Sequence, residues 1–152
     1  GYQLANIESA VAKCSNRISE LPERLKAINH FLTLSTSYDL CSTNKRIKNI
    51  LKKNALSNLN KIPDPNLFKE DAELLLFNKL NEITSRTDDL LTKNMYKEVL
   101  LTLTELKHPV DIFFQKVLVN TDNEILKENR LLLLNKLNNA MNQVAEISHL
   151  VE

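Results

Sequence analysis

The residues best equipped for chemistry in this sequence lie between positions 38 and 53: Tyr38, Asn44, Lys45, Arg46, Lys48, Asn49, Lys52 and Lys53. Ammonium and guanidinium groups neutralise phosphates, carboxamides meet a base edge with donor and acceptor together, and a phenol ring offers a plane for a base. Such a set binds a polyanion; it does not make or break bonds. Nothing elsewhere adds a reaction centre. His30, His108 and His149 stand singly, without the i,i+4 pairing or cysteine neighbours that metal ligation requires. Glu70, Asp71 and Glu73, and Asp88 with Asp89, come with no nucleophile motif or oxyanion feature and are read as solvated helix termini. Glycine occurs only at position 1, which removes the Walker loop and the Gly-x-Gly-x-x-Gly turn as phosphate cradles. No catalytic, cofactor-binding or metal residue is expected.

A helix must position the basic set. At roughly 100° per residue from Tyr38 to Lys53, Leu40, Ile47, Ile50 and Leu51 fall within about 100° of arc, and the cations occupy the other side. A solvated lysine face is the bland alternative. Around it, apolar residues at helical spacing predict helices over 4–16, from Pro22 to Leu32, from Phe68 to about Leu91, and from Met95 to Lys107 with Asn94 as a cap. The stretch from Asn16 to Leu21 reads as a turn or helix entry, and 54–65, with Pro63 and Pro65, as a loop and possible hinge. Pro109 suits a first helical position with Asp111 in the first turn, and Phe113, Phe114 and Val117 face a core. After the polar break Asn120–Asn123, Thr121 and Glu124 form a capping-box pattern. Leu126, Leu133, Leu137, Ala140, Met141, Val144, Ile147 and Val151 then predict one helix of about seven turns, the spine of the domain. The expected fold is all-α, a bundle of about six to seven helices forming a single domain over 1–152.

Charge is uneven along the chain. Residues 1–61 hold ten Lys/Arg against four Asp/Glu, a balance of +6, and residues 62–152 hold ten against fifteen, or −5, which together give the net +1. A basic half suits a polyanion; an acidic half suits solvent, protein or selected base edges. Cys14 and Cys41 are far apart and are expected to pack as small apolar residues in a reducing cytoplasm. No signal peptide and no apolar run near 18 residues is visible, so no membrane partner is expected. Gly1 stands where an initiator Met would, and the chain is expected to be a piece of a longer protein.

Several stretches carry a resemblance. Pro109-Val110-Asp111, Phe113-Phe114, Val117, Val119, Asn129-Arg130-Leu131, Leu133-Leu134 and Val144-Ala145-Glu146-Ile147-Ser148 resemble the closing segment of the β subunit of bacterial two-subunit glycyl-tRNA synthetase. Asn44-Lys45-Arg46-Ile47-Lys48-Asn49-Ile50-Leu51 resembles that family's Asn-Lys-Arg helix. The segments 44–51 and 109–148 cover about a third of the chain. Glu124-Ile125-Leu126-Lys127 stands where the family's Asp-Ala-Leu-Arg motif would lie, and Asn138 and Gln143 stand where arginine is expected.

The resemblance implies a DALR-like anticodon-binding domain, itself non-catalytic, that recognises tRNA(Gly). It further implies an α-subunit partner carrying the aminoacylation site, and ATP and Mg²⁺ used by the holoenzyme but not by this fragment. The eight residues named first become the expected RNA contacts, with Tyr38 as a stacking plane, and Arg130 either supports the fold, the favoured role, or touches RNA. The isolated fragment is expected to be a monomer. The alternative from another class is a non-catalytic helical protein-interaction module whose basic helix binds an acidic partner.

Overall fold

The computed structural model describes residues 1–14, 17–56, 58 and 60–151. Among these the regular elements are helical: α1 (Leu4–Val11), α2 (Leu21–Phe31), α3 (Ser37–Lys53), α4 (Asp71–Thr92), α5 (Tyr96–Leu103), α6 (Lys107–Lys116) and α7 (Glu124–Met141). Short 3₁₀ turns at Ile18–Glu20, Pro65–Leu67, Thr104–Leu106 and Ile147–Leu150 complete them. The all-α expectation therefore holds for the described residues. The predicted turn at Asn16, and the part of the 54–65 loop at Ser57 and Leu59, lie outside them.

The spine is α7. Every residue from Asn129 to Leu134 is buried, so this stretch of the helix is covered on all sides, as one at the centre of a bundle must be. Helices α3 and α4 pack against it, α5 and α6 pack against α4, α2 joins α5 to α1, and the C-terminal turn rests on α1 and α3. The loop after α3 is pinned near its end: the Asp64 N–H donates to Asn129 Oδ1 at 2.7 Å, and Asn129 Nδ2 donates back to the Asp64 carbonyl at 3.0 Å.

Several helix boundaries differ from the sequence expectation. Helix α7 has 18 residues, about five turns in place of seven. Asn142 ends it by donating to the Asn138 carbonyl (2.8 Å) while its Oδ1 accepts from the Ile147 N–H (2.9 Å), which redirects the chain. Val144 and Ile147 remain buried, so the apolar pattern persists where the helix does not. At the other end of α7 the cap is Asn123, whose Oδ1 accepts from Ile125 and Leu126 N–H at 3.1 Å; the Thr121 capping box is not formed. Pro109 is the third residue of α6, where its missing N–H is still no loss. Asp111 forms an ion pair with Lys107 (2.7 Å) in place of the expected first-turn position. Helix α1 stops at Val11, leaving Cys14 half-buried outside it.

Asn94 does not cap α5. It closes α4, in the left-handed region at φ 55°, with its own N–H on the Leu91 carbonyl (3.0 Å) and the Met95 N–H on the Leu90 carbonyl (3.0 Å). That pair of bonds is a Schellman ending, usually built on glycine. In a chain whose glycine is confined to position 1, asparagine takes the role, the residue that next best tolerates that conformation.

The acidic start of α4 is also not simply solvated. Glu73 is fully buried; its Oε2 accepts from the Lys69 and Glu70 N–H groups, both at 2.9 Å, closing a capping box with Glu70. Its Oε1 meets Arg130 Nε at 2.9 Å.

Candidate nucleic-acid interface

Helix α3 presents a stripe of exposed polar residues. Tyr38, Ser42, Lys45, Asn49 and Lys52 follow one another at steps of four and three, so they fall within about 80° of arc and span about 21 Å along the axis. Lys53 joins its C-terminal edge, also exposed. Lys45, Lys52 and Lys53 have no ion-pair partner among the described residues, and Tyr38 is 65% exposed at the N-terminal end. The opposite face of the helix, with Leu40, Asn44 and Ile47, is buried against the bundle and fixes which way the cations point.

Three of the eight expected residues are placed differently. Asn44 is fully buried and donates to Asn138 Oδ1 at 3.1 Å, so it ties α3 to α7 and does not lie on the stripe. Lys48 reaches Glu146, which also meets Lys13 at 3.4 Å. Burial alone would raise the Glu146 carboxyl, but Lys48 and Lys13 outweigh it and leave it below its ordinary value. Lys48 is thereby largely neutralised. Arg46 lies with its guanidinium carbon 4.1 Å from the centre of the Phe114 ring, a cation–π stack. Helical geometry held a signal for the last two: Arg46 and Lys48 sit about 80° to either side of the stripe's centre, at the flanks where a neighbour can reach. Their partners, on α6 and in the C-terminal turn, had no such signal.

Arg130 resolves in favour of the fold. It is 6% exposed, bonded to Glu73, and donates through Nη1 to the Leu118 carbonyl at 2.8 Å. Burial pushes the Glu73 carboxyl up, and the Arg130 guanidinium with the Glu70 and Lys69 N–H groups more than reverses this, so the group stays below the ordinary carboxylate range. Asn138 and Gln143, where arginines were expected, are engaged locally: Asn138 Oδ1 accepts from Asn44 and Asn142, and Gln143 donates to the Asn139 carbonyl.

Between the C-terminal half of α3 and the α6–α7 connection lies a cleft of about 560 Å³, with Arg46, Lys53 and Asn54 on one side and Phe114, Leu118 and Asn120 on the other. Among the described residues, no three His, Cys, Asp or Glu side chains converge as a metal site would need, and no helix is long and apolar enough to cross a membrane.

A model of the DALR anticodon binding domain matches residues 40–147, from α3 through the C-terminal turn. The chain belongs to the DALR anticodon-binding domain family. Its curated relatives include the glycine–tRNA ligase beta subunit of Dechloromonas aromatica, 41% identical over 152 residues, 99% of this chain and 21% of the relative. The corresponding subunit of Coxiella burnetii is 43% identical over 129 residues, 85% of this chain and 19% of the relative, and that of Cronobacter sakazakii is 38% identical over 148 residues, 97% and 21%. The chain thus spans about a fifth of the length of these relatives. The DALR match takes in the stripe from Lys45 to Lys53 and the Arg130–Glu73 pair, and Glu124–Lys127, where the motif was expected, is the first turn of α7.

Proposed function

We propose that this DALR domain holds and reads the anticodon loop of tRNA(Gly) as a non-catalytic part of the beta subunit of a two-subunit glycyl-tRNA synthetase. The supporting observation is the α3 stripe, where three lysines without ion-pair partners among the described residues and an exposed tyrosine project from a helix whose other face is locked into the bundle. Lysines that neutralise phosphates release the RNA's condensed counterions into solution, and unstacked bases meet aromatic and guanidinium planes. Glycine codons begin with two guanines, so the anticodon offers two cytosines, each with one amino donor and two acceptors; Asn and carboxylate oxygens suit the first, Lys and Arg the second.

The glycylation step, with ATP and Mg²⁺, falls to the α subunit that partners the whole enzyme in the cytoplasm. The acidic-partner alternative gains no feature of its own from the geometry.

The test is tRNA(Gly) binding by the full-length protein over a salt series. Reversal of Lys45, Lys52 and Lys53 to glutamate should weaken binding and lower the log–log salt slope by about two, near 0.7 for each single-stranded phosphate that is no longer neutralised. Replacing either anticodon cytosine should cost about 1–3 kcal/mol. Unchanged affinity and slope in the triple variant would return the stripe to a solvated surface.

A further inference from the structure

We propose that the cleft between α3 and the α6–α7 connection is a base site, taking one unpaired cytosine of the bound RNA with its ring stacked on the Arg46 guanidinium. The proposal rests on the RNA-binding reading above and assigns it a pocket and a specificity contact. The Arg46 guanidinium carbon lies over the Phe114 ring, 4.1 Å from its centre, and Phe113 supports Phe114 edge-on, with ring centres 5.5 Å apart at 80°. Phe113 is fully buried, so the stack is anchored in the core. Arg46 is exposed and lines the cleft. A guanidinium restrained against an aromatic ring is a platform on which a base can lie, and it already carries the charge that a flanking phosphate requires.

The walls favour a base over a bare phosphate. Val117 and Leu118 give the cleft an apolar side, and Leu118 is 69% exposed, an apolar surface in the midst of cations. Arg130 fixes that wall by holding the Leu118 carbonyl, which makes it a positioning residue for the pocket. Across from it, Asn54 donates its amide N–H to the Ile50 carbonyl at 2.9 Å, which orients the side chain and presents its oxygen as an acceptor. Cytosine offers an amino group to such an acceptor; uracil offers a carbonyl, and the two oxygens would repel. Lys53 lines this cleft and a neighbouring hollow of about 470 Å³ that reaches Glu124 and Lys127, so the next nucleotide has both space and charge beside it.

The experiment measures binding of the full-length protein, with its partner subunit, to tRNA(Gly) and to the same tRNA with its anticodon cytosines changed to uridine. Arg46→Lys keeps the charge and loses the plane; Phe114→Leu removes the support, and Lys45→Gln serves as a backbone-binding control. Arg46→Lys should lower affinity for both tRNAs about tenfold, within the range set by one base stack, with the salt slope unchanged, and Asn54→Ala should narrow the preference for cytosine. Lys45→Gln should weaken both tRNAs alike and lower the salt slope. If Phe114→Leu proves poorly folded, Arg46→Lys and Asn54→Ala decide. Unchanged affinity in Arg46→Lys, or a cytosine preference intact in Asn54→Ala, overturns the pocket and leaves the RNA-binding function standing. Equal binding of both tRNAs by the unaltered protein would overturn anticodon reading itself.

Discussion

Replacing Arg130 with methionine removes a buried cation while keeping most of the side chain's volume. Three interactions go with it: Glu73 Oε1 at 2.9 Å, Glu73 Oε2 at 3.4 Å and the Leu118 carbonyl at 2.8 Å. Glu73, fully buried, keeps only its two backbone donors from Lys69 and Glu70. Stranding one member of a buried pair costs about 3–5 kcal/mol. For a domain of this size that lowers Tm by about 6–20 °C. The pair should also show in the acid limb of stability. The folded Glu73 carboxyl lies below its ordinary value of 4.5, so its contribution is present above that value and is lost as pH falls through the depressed folded one. Without Arg130, burial loses its main opponent, and this part of the acid limb should shrink or reverse. Thermal melts followed by circular dichroism from neutral pH to below 4.5 measure both effects. Glu73→Gln combined with Arg130→Met should cost less than the two single changes added together, because the cation and the anion are then removed as a pair. A loss under about 1 kcal/mol with the acid limb unchanged would refute the reasoning.

Asn94→Ala should destabilise by about 1–2 kcal/mol, since alanine resists the φ of 55° held there, and Asn94→Gly should recover most of that in denaturant titrations. Asn123→Ala should cost about 1 kcal/mol by stripping the Ile125 and Leu126 N–H groups of their acceptor, read in the same titration. Cys41 is fully buried and its thiol is pushed up to about 12, so in the folded protein it should resist an alkylating reagent that modifies half-buried Cys14; equal labelling of both would contradict the burial. Glu105, held down to about 2 by Arg86 and Lys79, is partly exposed, and Glu105→Gln should change stability by less than about 1 kcal/mol.

Helical periodicity made most of this fold legible. The apolar faces of α3 and α7 were visible as stripes because burial on one side leaves a 3.6-residue rhythm in the chain. What it could not show was where the rhythm and the helix part company. Val144 and Ile147 keep the spacing of α7 while lying beyond its end, because Asn142 turns the chain and Arg24 donates to the Gln143 and Val144 carbonyls at 3.0 and 2.8 Å. The basic stripe was legible for the same reason as the core. The partners at its flanks were not, since Phe114 beside Arg46 and Glu146 beside Lys48 are brought in by packing, remote in sequence. The rhythm also held a signal for Asn44: it shares a segment with Lys45 and Arg46, yet it lies four residues after Leu40 and three before Ile47, on the side that is buried.

The seam between α1 and the C-terminal turn sets a clock on synthesis of the domain. The Glu146 N–H donates to the Ser9 carbonyl at 2.9 Å, and the Ser9 hydroxyl donates to the Glu146 carbonyl at 2.8 Å, across 137 positions. A ribosome adding about 5–20 residues per second delivers position 146 about 7–27 s after position 9. For that interval Ser9 and Ala10, fully buried in the finished bundle, have nothing from the C-terminal turn to lie against. Helix α1, at eight residues, is too short to persist alone in water. It should therefore be among the last parts of the nascent domain to gain protection from proteases, although it emerges ahead of the other helices.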